Sequence, residues 1–200
     1  AQRANTLEVG MRWSRSKLEL DLAVYRSEIR DELLALNDAS GLPLGTVNAG
    51  RTLHQGIELG GAFTVGDVVI RGQYLLNDFR FEDDPVYGNN RLGGVPRQFI
   101  KGEALWQQRG WCAGPTFEWV PTHYAVDHAE SLYADGYALW GLKAGYRQYQ
   151  GVSFFVEGRN LSDRSYAATT GVVADAGGVD SAQFLPGDGR GLYAGLEWSL

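Results

Sequence analysis

Two histidines and an aspartate fall close together in one irregular stretch: His123, Asp127 and His128. Imidazole and carboxylate at such spacing can ligate a borderline metal, or a metal already held in a chelate. A solvated loop whose histidines bind nothing accounts for the pattern more simply, so the metal is left unassigned. His54 stands apart, in a strand-like stretch where a ligand contact and a plain polar filler are equally favoured. Acid pairs such as Asp31-Glu32 and Asp83-Asp84 suit solvated loops better than a catalytic dyad. Ser131, Ser162 and Ser181 lack a nucleophile-elbow context. The glycine-rich runs at 171–178 and 187–191 have no adjoining helix or lysine with which to cradle phosphate. Catalysis is not expected, and no cofactor is implied.

The elements that must hold these residues are strands. From Leu192 onward every second residue is apolar (Leu192, Ala194, Leu196, Trp198, Leu200), while Gly191, Tyr193, Gly195, Glu197 and Ser199 are small or polar. Such alternation puts one face in an apolar medium and the other in a polar one. Nine segments read this way, roughly at 5–13, 17–29, 51–63, 68–81, 98–107, 111–120, 136–147, 152–161 and 190–200. One register through them carries no charge: Leu7, Val9, Met11, Trp13 in the first, Leu18, Leu20, Leu22, Val24 in the second, Leu53, Gln55, Ile57, Leu59 in the third, and so on. The other register carries Glu8, Arg12, Glu19, Asp21, His54, Glu58, Arg71, Lys101, Glu103, Glu118, Lys143, Glu157 and Arg159.

A charged side chain on a barrel's lipid face costs about 2–4 kcal/mol at mid-bilayer. Its absence from a whole register is what lipid demands, although a soluble sandwich also alternates. Loops and aromatics separate the two readings. Turns of three or four residues near 14–16, 65–67, 108–110 and 148–151 alternate with long links at about 30–50, 82–97, 121–135 and 162–189. Trp13, Phe63, Trp106, Trp111, Tyr146 and Trp198 all fall close to the short turns or the C-terminus, as an interfacial girdle would. The expected class is all-β, a transmembrane antiparallel β-barrel. Pro115, inside a strand, lowers the expectation of regular pairing there.

Composition agrees. Glycine is frequent (27 residues), aromatics make up 12 %, and no run of about 18 apolar residues offers a membrane helix. A net charge of −6 argues against a nucleic-acid partner. Cys112 is a single cysteine and leaves the redox compartment open.

The chain resembles the C-terminal half of TonB-dependent outer-membrane receptors over nearly its whole length. The carriers are Tyr25-Arg-Ser-Glu-Ile-Arg-Asp-Glu-Leu33, Thr46-Val-Asn-Ala-Gly-Arg-Thr52, Gln55-Gly-Ile-Glu-Leu-Gly60, Gly94-Val-Pro-Arg97, Phe155-Val-Glu-Gly-Arg-Asn-Leu-Ser-Asp-Arg-Ser-Tyr166 and Pro186-Gly-Asp-Gly-Arg-Gly191. The resemblance implies that residues 1–200 form about nine C-terminal strands of a barrel of about 22, plugged by an N-terminal domain upstream of Ala1. It implies a bacterial outer-membrane importer of a scarce nutrient, first of all a ferric siderophore or other metal chelate. Its implied partners are the TonB complex, through that N-terminal region, the barrel assembly machinery and the lipid bilayer. The assembly signal resembles Gly195, Trp198 and Leu200, with leucine where such barrels usually end in phenylalanine. Candidate ligand contacts on the lumen and outer loops are His54, Arg91, Arg97, His123, Tyr124 and His128, with Tyr87 beside them. Arginine suits carboxylate-rich chelates because its fork matches them. A passive or substrate-specific porin would share the strand pattern, and a soluble β-sandwich binding module is the remoter alternative.

Overall fold

The computed structural model describes residues 1–148, 150–181 and 183–199. Nine strands form one antiparallel meander. β1 (Arg3–Arg15), β2 (Leu18–Asn37), β3 (Pro43–Val65), β4 (Val68–Phe81), β5 (Gln98–Gln108) and β6 (Trp111–Val120) follow in sequence. Two miniature strands, β7 (Tyr124–Ala125) and β8 (Tyr133–Ala134), then make a small hairpin inside a loop. β9 (Tyr137–Tyr146) and β10 (Gly151–Arg159) continue the sheet. β11 (Ala167–Thr170) and β12 (Phe184–Pro186) pair within the next loop, and β13 (Gly191–Ser199) ends the sheet beside β10. No helix occurs among the described residues. β1 and β13 are the two edges of an open sheet and do not pair with each other.

The expected registers are those observed through most of the sheet. Val9 lies opposite Val24, Val24 opposite Ile57, and Ile57 opposite Leu76, so apolar residues share one face across neighbouring strands. That face is exposed: Leu7, Leu192 and Trp198 keep 71 %, 77 % and 69 % of their surface. The charged register (Glu19, Asp21, Arg71, Lys101, Glu103, Lys143, Glu157) lines a concavity of about 800 Å³ on the other side. Apolar convex and charged concave is the inverse of a soluble fold, and it suits a wall with lipid outside and water within. Trp111 packs against Tyr146 at 5.0 Å and Phe154 at 5.8 Å between ring centres, giving the aromatic belt at the short-turn end its continuity.

Three of the turns at that end are tighter than expected. Only 16–17, 66–67 and 109–110 separate the paired strands. Arg109 and Gly110 both have positive φ (51° and 87°), as a two-residue type I′ hairpin requires. Pro115 sits in a central strand. The β5–β6 register lapses at Ala104 and Leu105, opposite Pro115 and Gly114, and resumes at Trp106; a residue without an N–H cannot donate to that ladder.

The link expected at 30–50 is mostly strand. β2 and β3 continue together past Arg30 and Arg51 to Asn37 and Pro43, and the tip is tied by Asp38, whose carboxylate accepts from the Ser40 and Leu42 amides at 2.9 Å each. Asp31 has φ +55°, and burial changes phase there. Ile29 is buried on one side of it; beyond it Glu32 and Leu34 are the half-buried positions and Leu33 is exposed. Leu53, expected on the lipid face, is fully buried, with Glu28 and Arg80 opposite it in register.

Candidate functional site

At the long-loop end the concave side closes over with side chains from β2, β3, β4 and two loops. His54, on the concave register of β3, stacks on Phe79 with ring centres 4.5 Å apart, and Tyr25 meets Phe79 edge-on. The His54 Nε2 lies 3.3 Å from Glu32 Oε2 but lacks an aligned hydrogen bond. Glu32 also accepts a hydrogen bond from the Thr52 hydroxyl. Burial pushes the Glu32 carboxyl up, but the nearby His54 imidazole and the Thr52 hydroxyl outweigh it and hold it below its ordinary range. An ionised carboxylate beside a half-buried imidazole with a spare nitrogen is a polar spot in an otherwise aromatic wall.

Above it lies the stretch that held the metal-like pattern. Asp127 is 0 % exposed and is a knot of backbone bonds. Its Oδ1 accepts from the Ser131 and Leu132 amides (2.9 and 3.1 Å), and its Oδ2 from the Ser131 hydroxyl (2.5 Å) and the Ala176 amide (2.9 Å). Burial opposes ionisation, yet these donors prevail and lower the carboxyl's pKa. His128 points away: its Nδ1 accepts from the Gly93 amide at 3.1 Å, and its ring meets Phe81 (5.3 Å) and Tyr87 (5.6 Å). Burial lowers its pKa, partly offset by Asp127 and Glu32, which favours the neutral ring. Gly93 is needed at this approach, since a Cβ there would meet the Val126 carbonyl oxygen at 2.8 Å. His123 is exposed, edge-on to Tyr133 at 5.2 Å. The three residues therefore do not converge, and no group of three or more His, Cys, Asp or Glu side chains placed to hold a metal occurs among the described residues.

The remaining candidates divide. Tyr124 is buried with Val120, Val126, Ala134 and Tyr137 in the loop's own small core. Arg97 is exposed. Arg91 sits opposite Arg80 and binds Asp78 at 3.3 Å, while its backbone amide donates to Glu130 at 2.7 Å. Gly195 is covered by the Phe155 ring, which a Cβ would meet at 2.2 Å; Trp198 is exposed on the convex face, and Leu200 lies outside the described residues.

Two of the motifs quoted above lock onto each other. Asn160 donates to the carbonyls of Arg164 (2.9 Å) and Asp188 (3.0 Å) and accepts from the Arg164 amide. Asp163 accepts from the Arg190 amide at 2.9 Å. The Tyr166 ring covers Gly187, where a Cβ would lie 2.1 Å from it. The Asn-Leu-x-Asp-x-x-Tyr run and the Pro-Gly-Asp-Gly-Arg run thus belong together because they form one turn assembly feeding β13. Glu32, Thr52 and Phe79 are the site residues that sequence reasoning missed; period-2 alternation along β4 is the signal that could have found Phe79 on the face of His54.

Residues 1–161 match a family model described as TonB dependent receptor-like, beta-barrel. Solved structures with the same fold include the ferric-catecholate import receptor Fiu from E. coli in its closed form, at 19 % identity and a TM-score of 0.63, covering 98 % of this chain and 27 % of that one. The copper transporter OprC is 17 % identical with a TM-score of 0.79, covering 100 % and 31 %. The siderophore receptor PiuA from Acinetobacter baumannii is 20 % identical with a TM-score of 0.71, covering 96 % and 28 %. The chain therefore spans less than a third of the length of these three structures. Comparison with curated protein sequences gives no match.

Proposed function

Because this chain belongs to the TonB-dependent receptor β-barrel family, whose members are bacterial outer-membrane proteins, we propose that it builds the C-terminal part of the wall of an active importer. The cargo class we assign is a metal chelate, with a ferric siderophore first. The observation that carries this reading is the family match over most of the chain, joined to a charge-lined concave face beneath ordered loops. Iron-chelate and copper transporters among the fold neighbours support it.

In this account the TonB complex drives import through the N-terminal region of the full-length receptor. The barrel assembly machinery reads Gly195 and Trp198 on the closing strand, together with Leu200. His54, His123 and Arg97 keep polar surface and contact the incoming chelate, with Tyr87 lending a ring. Tyr124 and His128 hold the loop floor beneath them. The chain supplies recognition and a water-filled wall, and no bond-making chemistry.

The test is uptake of radiolabelled iron from a panel of ferric siderophores by cells carrying or lacking the full-length gene, in strains with and without a working TonB complex. Accumulation that needs both the gene and the TonB complex is expected, with His54→Ala weakening it. Gene-dependent accumulation that persists without TonB would instead favour a passive porin.

A further inference from the structure

One bond between the outer connections would be destroyed by a single proton. Among the described residues, four hydrogen bonds tie segment 82–97 to segment 121–135. The Gly94 amide donates to the Ala125 carbonyl (2.7 Å), the Asn90 side chain to the His128 carbonyl (3.0 Å) and the Arg91 amide to the Glu130 carboxylate (2.7 Å). The fourth runs from the Gly93 amide to the His128 Nδ1 (3.1 Å). An imidazole nitrogen accepts only while its lone pair is free, and an imidazolium is a donor at both nitrogens. The other three acceptors are oxygens that stay unprotonated above the carboxylate range.

The packing gives this bond no slack. A Cβ on Gly93 would lie 2.8 Å from the Val126 carbonyl oxygen and 2.9 Å from the Asp127 carbonyl carbon, so the Gly93 backbone cannot turn its amide to another acceptor. His128 is 4 % exposed, and its ring is held between Phe81 and Tyr87. A protonated Nδ1 would therefore meet the Gly93 N–H donor against donor. The charged and titratable groups around the ring come from every side but β4, which contributes the apolar Phe81. They are Glu32 from β2, Asp127 and Glu130 from its own segment, Asp84 and Tyr87 from segment 82–97, and Asp175 from segment 162–189, while His54 on β3 faces Glu32. Glu32 and Asp127 favour a charged ring, but burial outweighs them and keeps the clasped ring neutral.

What the bond keeps in place is the cover of the polar spot on the concave side. Leu92 and Tyr87 of segment 82–97 pack with Phe79, Phe81 and Ala49, and Phe79 is the ring on which His54 stacks. We propose that His128 is a proton-sensitive latch: its neutral ring holds segment 82–97 over the His54–Glu32 spot, and its protonation releases that segment. The latch goes beyond the transport reading, because it acts whatever the cargo is. Its sign follows from the buried neutral ring. The closed form is fully stable above the ordinary imidazole value of about 6.5 and is weakened as pH falls below it, by up to about tenfold in the opening equilibrium per pH unit.

The test is hydrogen exchange at single-amide resolution on the full-length receptor in mild detergent, from about pH 7.5 to about pH 5, each rate divided by the intrinsic rate at that pH. The Gly93 amide should lose protection by up to about tenfold per pH unit below about pH 6.5. The Ala176 amide, held by Asp127, should keep its protection over the same range. His128→Asn carries an amide oxygen on the same Cγ that bears Nδ1 and does not titrate, so its Gly93 protection should be flat with pH. Glu32→Gln removes an anion that favours the charged ring and should enlarge the acid loss, which keeps the test decisive if the asparagine variant packs poorly. A flat profile at Gly93 in the unaltered receptor, equal loss at Ala176, or pH dependence that persists in His128→Asn would overturn the latch. A smaller acid loss in Glu32→Gln would overturn it as well.

Discussion

Asp127→Asn is the most informative single substitution in the loops. The two carboxylate oxygens have different duties. Oδ1 serves Ser131 and Leu132 within its own loop, while Oδ2 serves the Ser131 hydroxyl and, across to the other loop, the Ala176 amide. An asparagine keeps one oxygen and presents an NH₂ in place of the other. With its oxygen toward Ser131 and Leu132, the NH₂ faces the Ala176 N–H, and two donors oppose each other. The Ser131 hydroxyl can turn to accept from the NH₂, so the Ala176 bond to a charged acceptor is the one lost, at about 1.5–3 kcal/mol. The lower end applies because Asp175 and Gly177 beside the knot are exposed, giving about 1.5 kcal/mol for the contact between loops. That is roughly tenfold in an opening equilibrium. Hydrogen exchange on the full-length receptor should show the Ala176 amide losing protection by that factor while the Ser131 and Leu132 amides change little. Equal loss at all three amides, or none at Ala176, would refute the division of labour. The pH sign follows from the lowered pKa: the clasp is intact above the ordinary carboxylate range and is lost as pH falls through the depressed value. Acid should therefore open it only below about pH 4.

Three further outcomes are expected. Leu142→Arg places charge on the convex face and should lower the folded fraction by about 2–4 kcal/mol, whereas Leu139→Arg, three residues away and facing the lumen, should fold nearly normally; heat-modifiable gel mobility reads both. Asn160→Ala leaves the Arg164 amide and the Asp188 carbonyl without their side-chain partner, so brief protease treatment should nick 186–190 faster while the barrel stays intact. Gly195→Val would drive a branched side chain into the Phe155 ring, so membrane insertion should slow and recover in part with Phe155→Ala.

The nine sheet strands were legible because period-2 alternation is strong wherever one face meets lipid. The outer halves of β2 and β3 were not, because Asp31 reverses the phase and Gly45 and Gly50 dilute the pattern. The hairpins β7–β8 and β11–β12 are two to four residues per strand, too short for any period to register. Site residues fared worse, for a related reason. His128 is defined by Gly93 and Phe81, 35 and 47 positions away, and Arg91 by a single bridge to Arg80. Such long-range pairings have no local signature. The resemblance carried by Asn160, Asp163 and Tyr166 proved physical, since these residues close on the Pro186–Arg190 run that accompanies them.

The most direct test of the central claim, that one face of this sheet lies in lipid and the other in water, is a spin-label scan along β2 in the full-length receptor, with Cys112 replaced by serine. Labels from Leu18 to Val24 should alternate with period 2 between oxygen-accessible and nickel-chelate-accessible sites, and labels at Arg26, Glu28 and Arg30 should lose the oxygen-rich signature. Uniform access to the nickel chelate at every position, with no alternation, would contradict it.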